Sequence, residues 1–391
     1  MAKQQSQGTK PAGKRLTPKQ RAARKRRNII IFIVELFVLA IVVIGAWAII
    51  RLTRVEHPDL NVGTQEDLDS GANVDVVVNK DVYDSYVEPE NPMARYMQVA
   101  LFGLDSRKRK LGAESSRSDT IIIACIDTQE KTIKLVSVYR DTYLNLTNGS
   151  YNKCNGAYAA GGEARAMTML NTNLDLYITD YVTVDFWGII DAIDKLGGVW
   201  IDVADNEIRY LNDYQISMVG TTQDGIHYDA EEYVDYTPVT QSGYQRLNGL
   251  QATAYCRIRY VGNDYGRTER QRKVIAAMME AAKGMSLNEL TAILNSDVFD
   301  EFSTSISLET IISMLGDLGE YEIVESCGFP AMDMLQSGII GGKGSCVVPM
   351  DLTANVAKLH EILFGIEDYQ PSATVQEYSQ KIRQDTAEYL R

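Results

Sequence analysis

Histidine and cysteine are scarce in this 391-residue chain, with three His, five Cys and no CxxC pair. That supplies too few ligands at the wrong spacing for a zinc site and argues against a Ser-His triad. Acidic residues are absent from residues 1–28, which hold ten Lys or Arg. Basic residues are in turn short in the other 363 positions, where 29 cationic side chains face 52 acidic ones, a net of −23. Such an acidic body excludes general nucleic-acid binding, so any anion site in it has to be a local cluster of cations. No internal repeat is present.

A long apolar run is present. Residues 29–50 read IIIFIVELFVLAIVVIGAWAII, enough to cross a bilayer at about 1.5 Å per residue. A cleavable signal has a shorter core, about 7–15 residues, ending at small side chains; here Arg51 and Arg54 follow. The run is expected to be one retained N-terminal transmembrane helix. The positive-inside rule then puts the basic arm, residues 1–28, in the cytoplasm and the rest outside the cell membrane. Residues 51–92 are polar, acidic and weakly periodic, which reads as an extracytoplasmic stalk. A catalytic domain is expected over 93–366, and a polar helix or frayed tail over 367–391.

Within the domain, Gln98–Leu104 is expected as a strand ending at Asp105. Thr120–Ile126 and Ile133–Val138 are β-branched runs joined by Asp127–Thr132, the pattern of a hairpin. Helices are expected over 162–174, 186–196, from Asp264 or Gly266 to Lys283, and over 286–295, 307–317 and 352–364. Strands are expected at Tyr181–Val184, Val199–Val203 after the Gly197-Gly198 turn, 321–326 and 346–349. This alternation implies a layered α/β domain with a central mixed sheet. Residues 205–245 lack periodicity and read as a loop insertion. Cys125, Cys154 and Cys256 lie in apolar stretches and suit a core; Cys327 and Cys346 flank a Gly-rich loop, either bridged or free.

The hairpin carries a geometric argument. Its centre lies near Gln129–Glu130, so antiparallel pairing sets Asp119 opposite Arg140. If the first strand also runs antiparallel, Asp105 reaches the same edge, and the 106–118 connection brings Arg107 and Arg117. Asp105, Arg107, Arg117, Asp119, Arg140 and Asp141 then converge at strand ends, where open α/β sheets bind ligands. A second group follows. Arg257 and Arg259 either share a strand face or close a short helix. Arg267, Arg270 and Gln271 fall at i, i+3 and i+4 near a helix start, where an anionic ligand would offset their conflict with the dipole. Arginine forks bind phosphate oxygens, and paired carboxylates hold Mg²⁺ (or Mn²⁺) beside them. A pyrophosphate fits both.

GLDSR (103–107), RSDT (117–120), SVYRDTYL (137–144), NKCNGAYAAGG (152–162), DFWGIIDAIDKLGGVWIDV (185–203), LNGLQATAYCRIRY (247–260) and NDYGRTERQ (263–271) occur in that order. Together they resemble the LytR–CpsA–Psr family of cell-wall proteins. The resemblance implies an α/β/α sandwich with a hydrophobic tunnel for a polyprenyl chain. It implies a phosphotransferase that moves a glycopolymer (teichoic acid, capsule or similar) from undecaprenyl pyrophosphate to a muramic acid hydroxyl of peptidoglycan. By motif position, Asp105 and Asp119 are the metal carboxylates. Arg117, Arg140, Arg259 and Arg267 are pyrophosphate contacts, with Arg107, Arg257, Arg270 and Gln271 in support. Asp119 or Asp141 would take the hydroxyl proton. Tyr139 stands where the family often has Pro. The tunnel walls are expected from Val274, Ala277, Met278 and the 186–193 segment. Two rival readings are a lipid-pyrophosphate-binding regulator, for which the 28-residue arm is too short to hold a DNA-binding fold, and a pyrophosphatase using water as acceptor.

Overall fold

Strands β1 (Val62–Gly63) and β2 (Val76–Val77) pair in parallel, with helix α1 (Gln65–Asp69) between them and α2 (Lys80–Tyr86) after them. A reciprocal cap starts α1: Thr64 Oγ1 accepts from the Asp67 amide, and the Asp67 carboxylate accepts from the Thr64 amide. The computed structural model describes residues 60–390 apart from 87, 89–90, 105–116, 148, 220–235, 295 and 297–300. The expected membrane span and basic arm lie outside the described residues. Among those described, no helix is long and apolar enough to cross a membrane.

The stalk expectation fails for residues 60–86. Val76, Val78 and Val82 belong to the main core. Asn79 Nδ2 donates to Asp175 Oδ1 at 2.6 Å and to the Thr172 carbonyl at 2.9 Å. Leu60, Val62, Tyr83 and Tyr86 pack against the same core, a scatter of apolar and polar anchors with no fixed period for a sequence reading to register.

The central sheet has six strands in the order β11-β8-β3-β4-β5-β12. They are β3 (Tyr96–Leu104), β4 (Ser118–Asp127), β5 (Thr132–Val138), β8 (Asp180–Asp185), β11 (Phe302–Thr304) and β12 (Glu322–Phe329). β3, β4 and β5 run antiparallel, β8 and β12 join in parallel, and β11 pairs antiparallel with β8, so the sheet is mixed as expected. Two further pairs, β6 (Tyr143–Asn145) with β7 (Tyr151–Lys153) and β13 (Leu335–Ile339) with β14 (Ser345–Pro349), lie apart from it.

The longer helices are α3 (Gly156–Leu174), α4 (Phe186–Lys195), α5 (Asp205–Val219), α6 (Gly249–Arg257), α7 (Asn263–Lys283), α8 (Leu287–Leu294), α9 (Leu308–Gly316), α10 (Leu352–Phe364) and α11 (Ala373–Thr386). Both sheet faces are apolar, which is why Ile121–Ile126 reads as an unbroken hydrophobic run. Phe102, Ile121, Ile123 and Val136 face α3, α10 and α11. Val99, Ile122, Ala124 and Leu135 face the other way, toward Ile275 of α7 and Ile311 of α9.

A smaller cluster joins the ribbon of β9 (Val199–Val203) and β10 (Gly243–Leu247) to α5, α6 and α7 through Ile201, Leu211, Leu247, Tyr255 and Val274. The turn before β9 needs positive φ at Gly197 and Gly198, +80° and +93°. Residues 205–219, expected as part of a loop insertion, are helical. Gln215 sits at a fully buried position of that helix, its amide donating to the Thr237 carbonyl, and so breaks the apolar pattern. At the C-terminus α11 packs on the core through Val375 and Ile382, and Ser379 Oγ accepts from the Leu352 amide and donates to Asp351. All five cysteines are free, so the Cys327–Cys346 bridge does not form; the two lie on different sheets, in β12 and β14.

Candidate functional site

The β4–β5 register, Ile122 opposite Ser137, extrapolates to Asp119 opposite Arg140. Arg140 Nη1 donates to Asp119 Oδ1 at 2.8 Å. The second carboxylate oxygen accepts from Arg267 Nη2 at 3.1 Å and Arg259 Nη2 at 3.2 Å. Three guanidinium groups thus meet on one carboxylate, brought there from the end of β5, from the turn after α6 and from the first turns of α7. Burial alone would push the Asp119 carboxyl up, but Arg267, Arg140 and Arg259 outweigh it and hold it below the ordinary carboxylate range. Burial pulls the Arg267 guanidinium down, against the attraction of Asp119.

Three cations on one anion leave a local positive excess inside an acidic protein. Asp141 and Asp264 offset it at longer range, with oxygens 3.7 and 3.9 Å from Arg140 Nε. Lys153 Nζ reaches Asp141 at 3.0 Å. In and beside the cluster, Arg140 Nε, Arg267 Nε, Asp264 Oδ1 and Gln271 Oε1 are among the buried side-chain atoms without a hydrogen bond. Buried polar atoms in that condition are costly unless a ligand completes them.

Directly beside the cluster is an apolar cavity of about 250 Å³. Its floor is Leu101, Gly103, Thr120 and Ile122 of the sheet with Val182 and Val184, and its roof comes from Phe186, Ile189, Val274, Ile275 and Met278. Arg267 and Gln271 line it too, so the charged cluster and the cavity share a wall. Met278 lies eleven positions beyond Arg267 on α7, about 16 Å at the helical rise. Of the expected tunnel walls, Val274, Met278, Phe186 and Ile189 line this cavity. Ala277 instead borders a separate cleft with Trp200 and Tyr244.

The remaining site candidates divide. Arg257 closes α6, settling the choice between helix and strand, and its guanidinium lies 4.3 Å from the Phe186 ring centre at the cavity wall. Arg117 is exposed just before β4. Asp105 and Arg107 lie outside the described residues. Arg270 is not with the cluster: its Nε donates to Glu207 at 2.7 Å and its other nitrogens to the Ile258 and Val261 carbonyls. A helix face spanning i, i+3 and i+4 is about 100° wide, and here it straddles two neighbours. Gln271 stays with Arg267, while Arg270 turns to α5. Sequence reasoning did not single out Asp264, which resembles a dipole-complementing residue in a first turn, nor Lys153 and Glu207, for which no local signal exists.

The profile of the LytR_cpsA_psr family matches residues 64–340. A polyisoprenyl-teichoic acid–peptidoglycan teichoic acid transferase, TagU of Enterococcus faecalis, is 33% identical over 217 residues, which cover 54% of this chain and 62% of that protein. The match thus spans somewhat under two thirds of that relative's length. Biofilm regulatory protein A of Streptococcus mutans is 25% identical over 389 residues, covering 90% of this chain and 86% of that protein. The crystal structure of TagV from B. subtilis shares the fold at a TM-score of 0.54 and 23% identity, covering 71% of this chain and 99% of that one. The chain belongs to the LytR–CpsA–Psr family.

Proposed function

We propose that this family member transfers an anionic cell-wall glycopolymer, such as teichoic acid or capsular polysaccharide, from an undecaprenyl-pyrophosphate carrier to peptidoglycan, forming a phosphodiester with a muramic acid hydroxyl. One observation carries the reading: Arg267 belongs both to the three-guanidinium cluster on Asp119 and to the wall of the apolar cavity. An amphiphile with a pyrophosphate head and a hydrocarbon tail matches that junction. The α/β/α domain would work outside the cell membrane, tethered by the apolar run 29–50, with residues 1–28 in the cytoplasm.

In this reading the acceptor hydroxyl attacks the phosphorus that bears the donor sugar. The new P–O bond forms as the bridging oxygen departs with polyprenyl phosphate, and the hydroxyl proton passes to a carboxylate. Arg140, Arg259 and Arg267 stabilise charge on the phosphate oxygens. Asp119 faces guanidinium groups with both oxygens and is held below the usual carboxylate range, which makes it a weak base. Asp141 at the same edge is the other candidate proton acceptor, with Lys153 Nζ 3.0 Å from one oxygen and Arg140 Nε 3.7 Å from the other. Mg²⁺ (or Mn²⁺) would be held by Asp105 and Asp119 and, when bound, would neutralise phosphate charge. Asp119 is a hard anionic oxygen ligand, but both its oxygens accept from arginines here, so those guanidinium groups would have to turn to phosphate oxygens for it to hold the ion. No group of three or more His, Cys, Asp or Glu gathers among the described residues, so phosphate oxygens and water would have to complete the shell.

The test is incubation of the full chain with lipid-linked donor, with and without peptidoglycan. Polymer joined to peptidoglycan through a phosphodiester supports the proposal. Donor hydrolysed equally in both would mean a pyrophosphatase, and donor bound but unchanged would mean a lipid-binding regulator.

A further inference from the structure

Arg270, absent from the cluster on Asp119, fastens the turn that supplies one of its arginines. The carbonyls it bonds, Ile258 at 3.1 Å and Val261 at 2.8 Å, bracket Arg259 and Tyr260. Glu207 holds Arg270 from α5, and both are buried, at 7% and 4% exposure. One helical turn beyond Glu207, Tyr210 stacks on Tyr260, with ring centres 5.2 Å apart and planes 21° from parallel. Tyr260 is nevertheless 76% exposed. Its backbone is fixed and its ring is left bare, an arrangement that core packing does not require.

Exposure also rises through the cluster. The side chains of Arg267, Arg140 and Arg259 are 4%, 19% and 42% exposed. Arg267 borders the apolar cavity, whereas Arg259 and Tyr260 do not. The cluster therefore has an inner, cavity-facing end at Arg267 and an exposed outer end at Arg259, whose chain neighbour Tyr260 stacks on Tyr210.

We infer that Tyr260 and Tyr210 form a subsite for the pyranose ring attached to the donor's pyrophosphate. The inference rests on the lipid-pyrophosphate reading above. With hydrocarbon beside Arg267 and phosphates reaching across to Arg259, the first sugar emerges at Tyr260. The C–H face of a pyranose packs on the electron-rich face of a phenol ring, and the Arg270–Glu207 pair positions that ring.

The test uses the full chain in detergent micelles and two probes, polyprenyl pyrophosphate without sugar and the same lipid carrying one glucose. Tyr260→Ala weakens the glucosylated probe about tenfold and leaves the sugar-free probe unchanged. Tyr260→Phe keeps wild-type affinity for both, and Tyr210→Ala gives a smaller loss confined to the glucosylated probe. Unchanged binding of the glucosylated probe by Tyr260→Ala overturns the subsite. So does an equal loss for both probes, which would mean that the turn carrying Arg259 has moved. Failure of the wild-type chain to bind even the sugar-free probe would instead defeat the lipid-pyrophosphate reading.

Discussion

The two faces of the central sheet come from the same strands and the same kinds of residue, yet one is filled and the other is partly hollow. Phe102, Ile121, Ile123 and Val136 are sealed beneath α3, α10 and α11. On the opposite face Leu101, Ile122 and Val182 border a 250 Å³ cavity. The roofs differ. α3 brings Met167, Met169, Leu170 and Leu174, all fully buried. α7 brings Arg267, Gln271, Val274 and Met278 in one stripe, polar at its start and apolar beyond. The charge in such a stripe needs a partner, because buried without one it costs several kcal/mol. Arg267 is turned to Asp119, and the apolar part of the stripe walls a space. The filled face therefore carries packing alone, while the partly hollow one adds to its own core cluster the cavity to which the proposed reading assigns binding.

The largest expected effect tests the hollow face. Arg140→Ala should lower polymer attachment about a thousandfold, on the scale of losing a preorganised donor to developing charge. The variant should keep its far-ultraviolet circular dichroism and a cooperative melt, because Asp119 retains Arg259 and Arg267. Normal attachment by this variant would remove Arg140 from the chemistry. The filled face should behave in the opposite way. Met169→Ala deletes a fully buried side chain and should cost about 2–5 kcal/mol in denaturant titrations, with attachment per folded molecule unchanged. A change in lipid affinity at wild-type stability would break the division between the faces.

A pH scan sharpens the same contrast. His360 in α10 is fully buried, stacked on Tyr369 with its Nε2 3.0 Å from the Leu174 carbonyl. Burial lowers its pKa from 6.5 to about 4, against the pull of the Leu174 and Asp175 carbonyls. The unfolded chain therefore takes up this proton first. The contribution is fully present above pH 6.5 and is lost as pH falls toward 4, by about 3 kcal/mol at roughly 1.4 kcal/mol per unit. Asp119 has a lowered pKa on the hollow face, so its contribution is lost only below the ordinary carboxylate range. His360→Gln should flatten the stability slope between pH 6.5 and 4 and leave the acid limb unchanged. An unaltered slope would show that this histidine is solvated in the folded state.

The part of the site set by local pairing was legible from sequence. A hairpin centred near Gln129–Glu130 places Asp119 against Arg140, because short connections fix register, and the 2.8 Å bond confirms it. The motif order likewise identified the family. The direction of each arginine on α7 was not legible. Arg267 and Arg270 are three residues apart, and what separates them is Glu207, 63 positions away in the sequence. The docking of residues 60–86 and of α11 was also hidden. Asn79, Asp175 and Ser372 tie them together through amide, carboxylate and hydroxyl groups, and hydrophobic periodicity cannot register such contacts. A filled core and a lined cavity draw on the same residues too, so Ile122 and Met278 could be placed on faces but not assigned to packing or to a ligand.

That ambiguity can be broken at Met278, which borders the cavity some three turns beyond Arg267. Met278→Trp would place an indole in the space without touching the guanidinium cluster. If the cavity holds hydrocarbon, affinity for a long polyprenyl pyrophosphate should fall about tenfold, roughly the loss of a few well-packed ligand atoms. A pyrophosphate with a chain too short to reach Met278 should bind as before, because its head still meets Arg140, Arg259 and Arg267. Stability should change by less than about 1.5 kcal/mol, since the new ring fills existing space rather than displacing packed atoms. Equal affinity for long and short lipids in wild type and variant would mean that the hollow takes no lipid. A large loss of stability would mean that it was core all along.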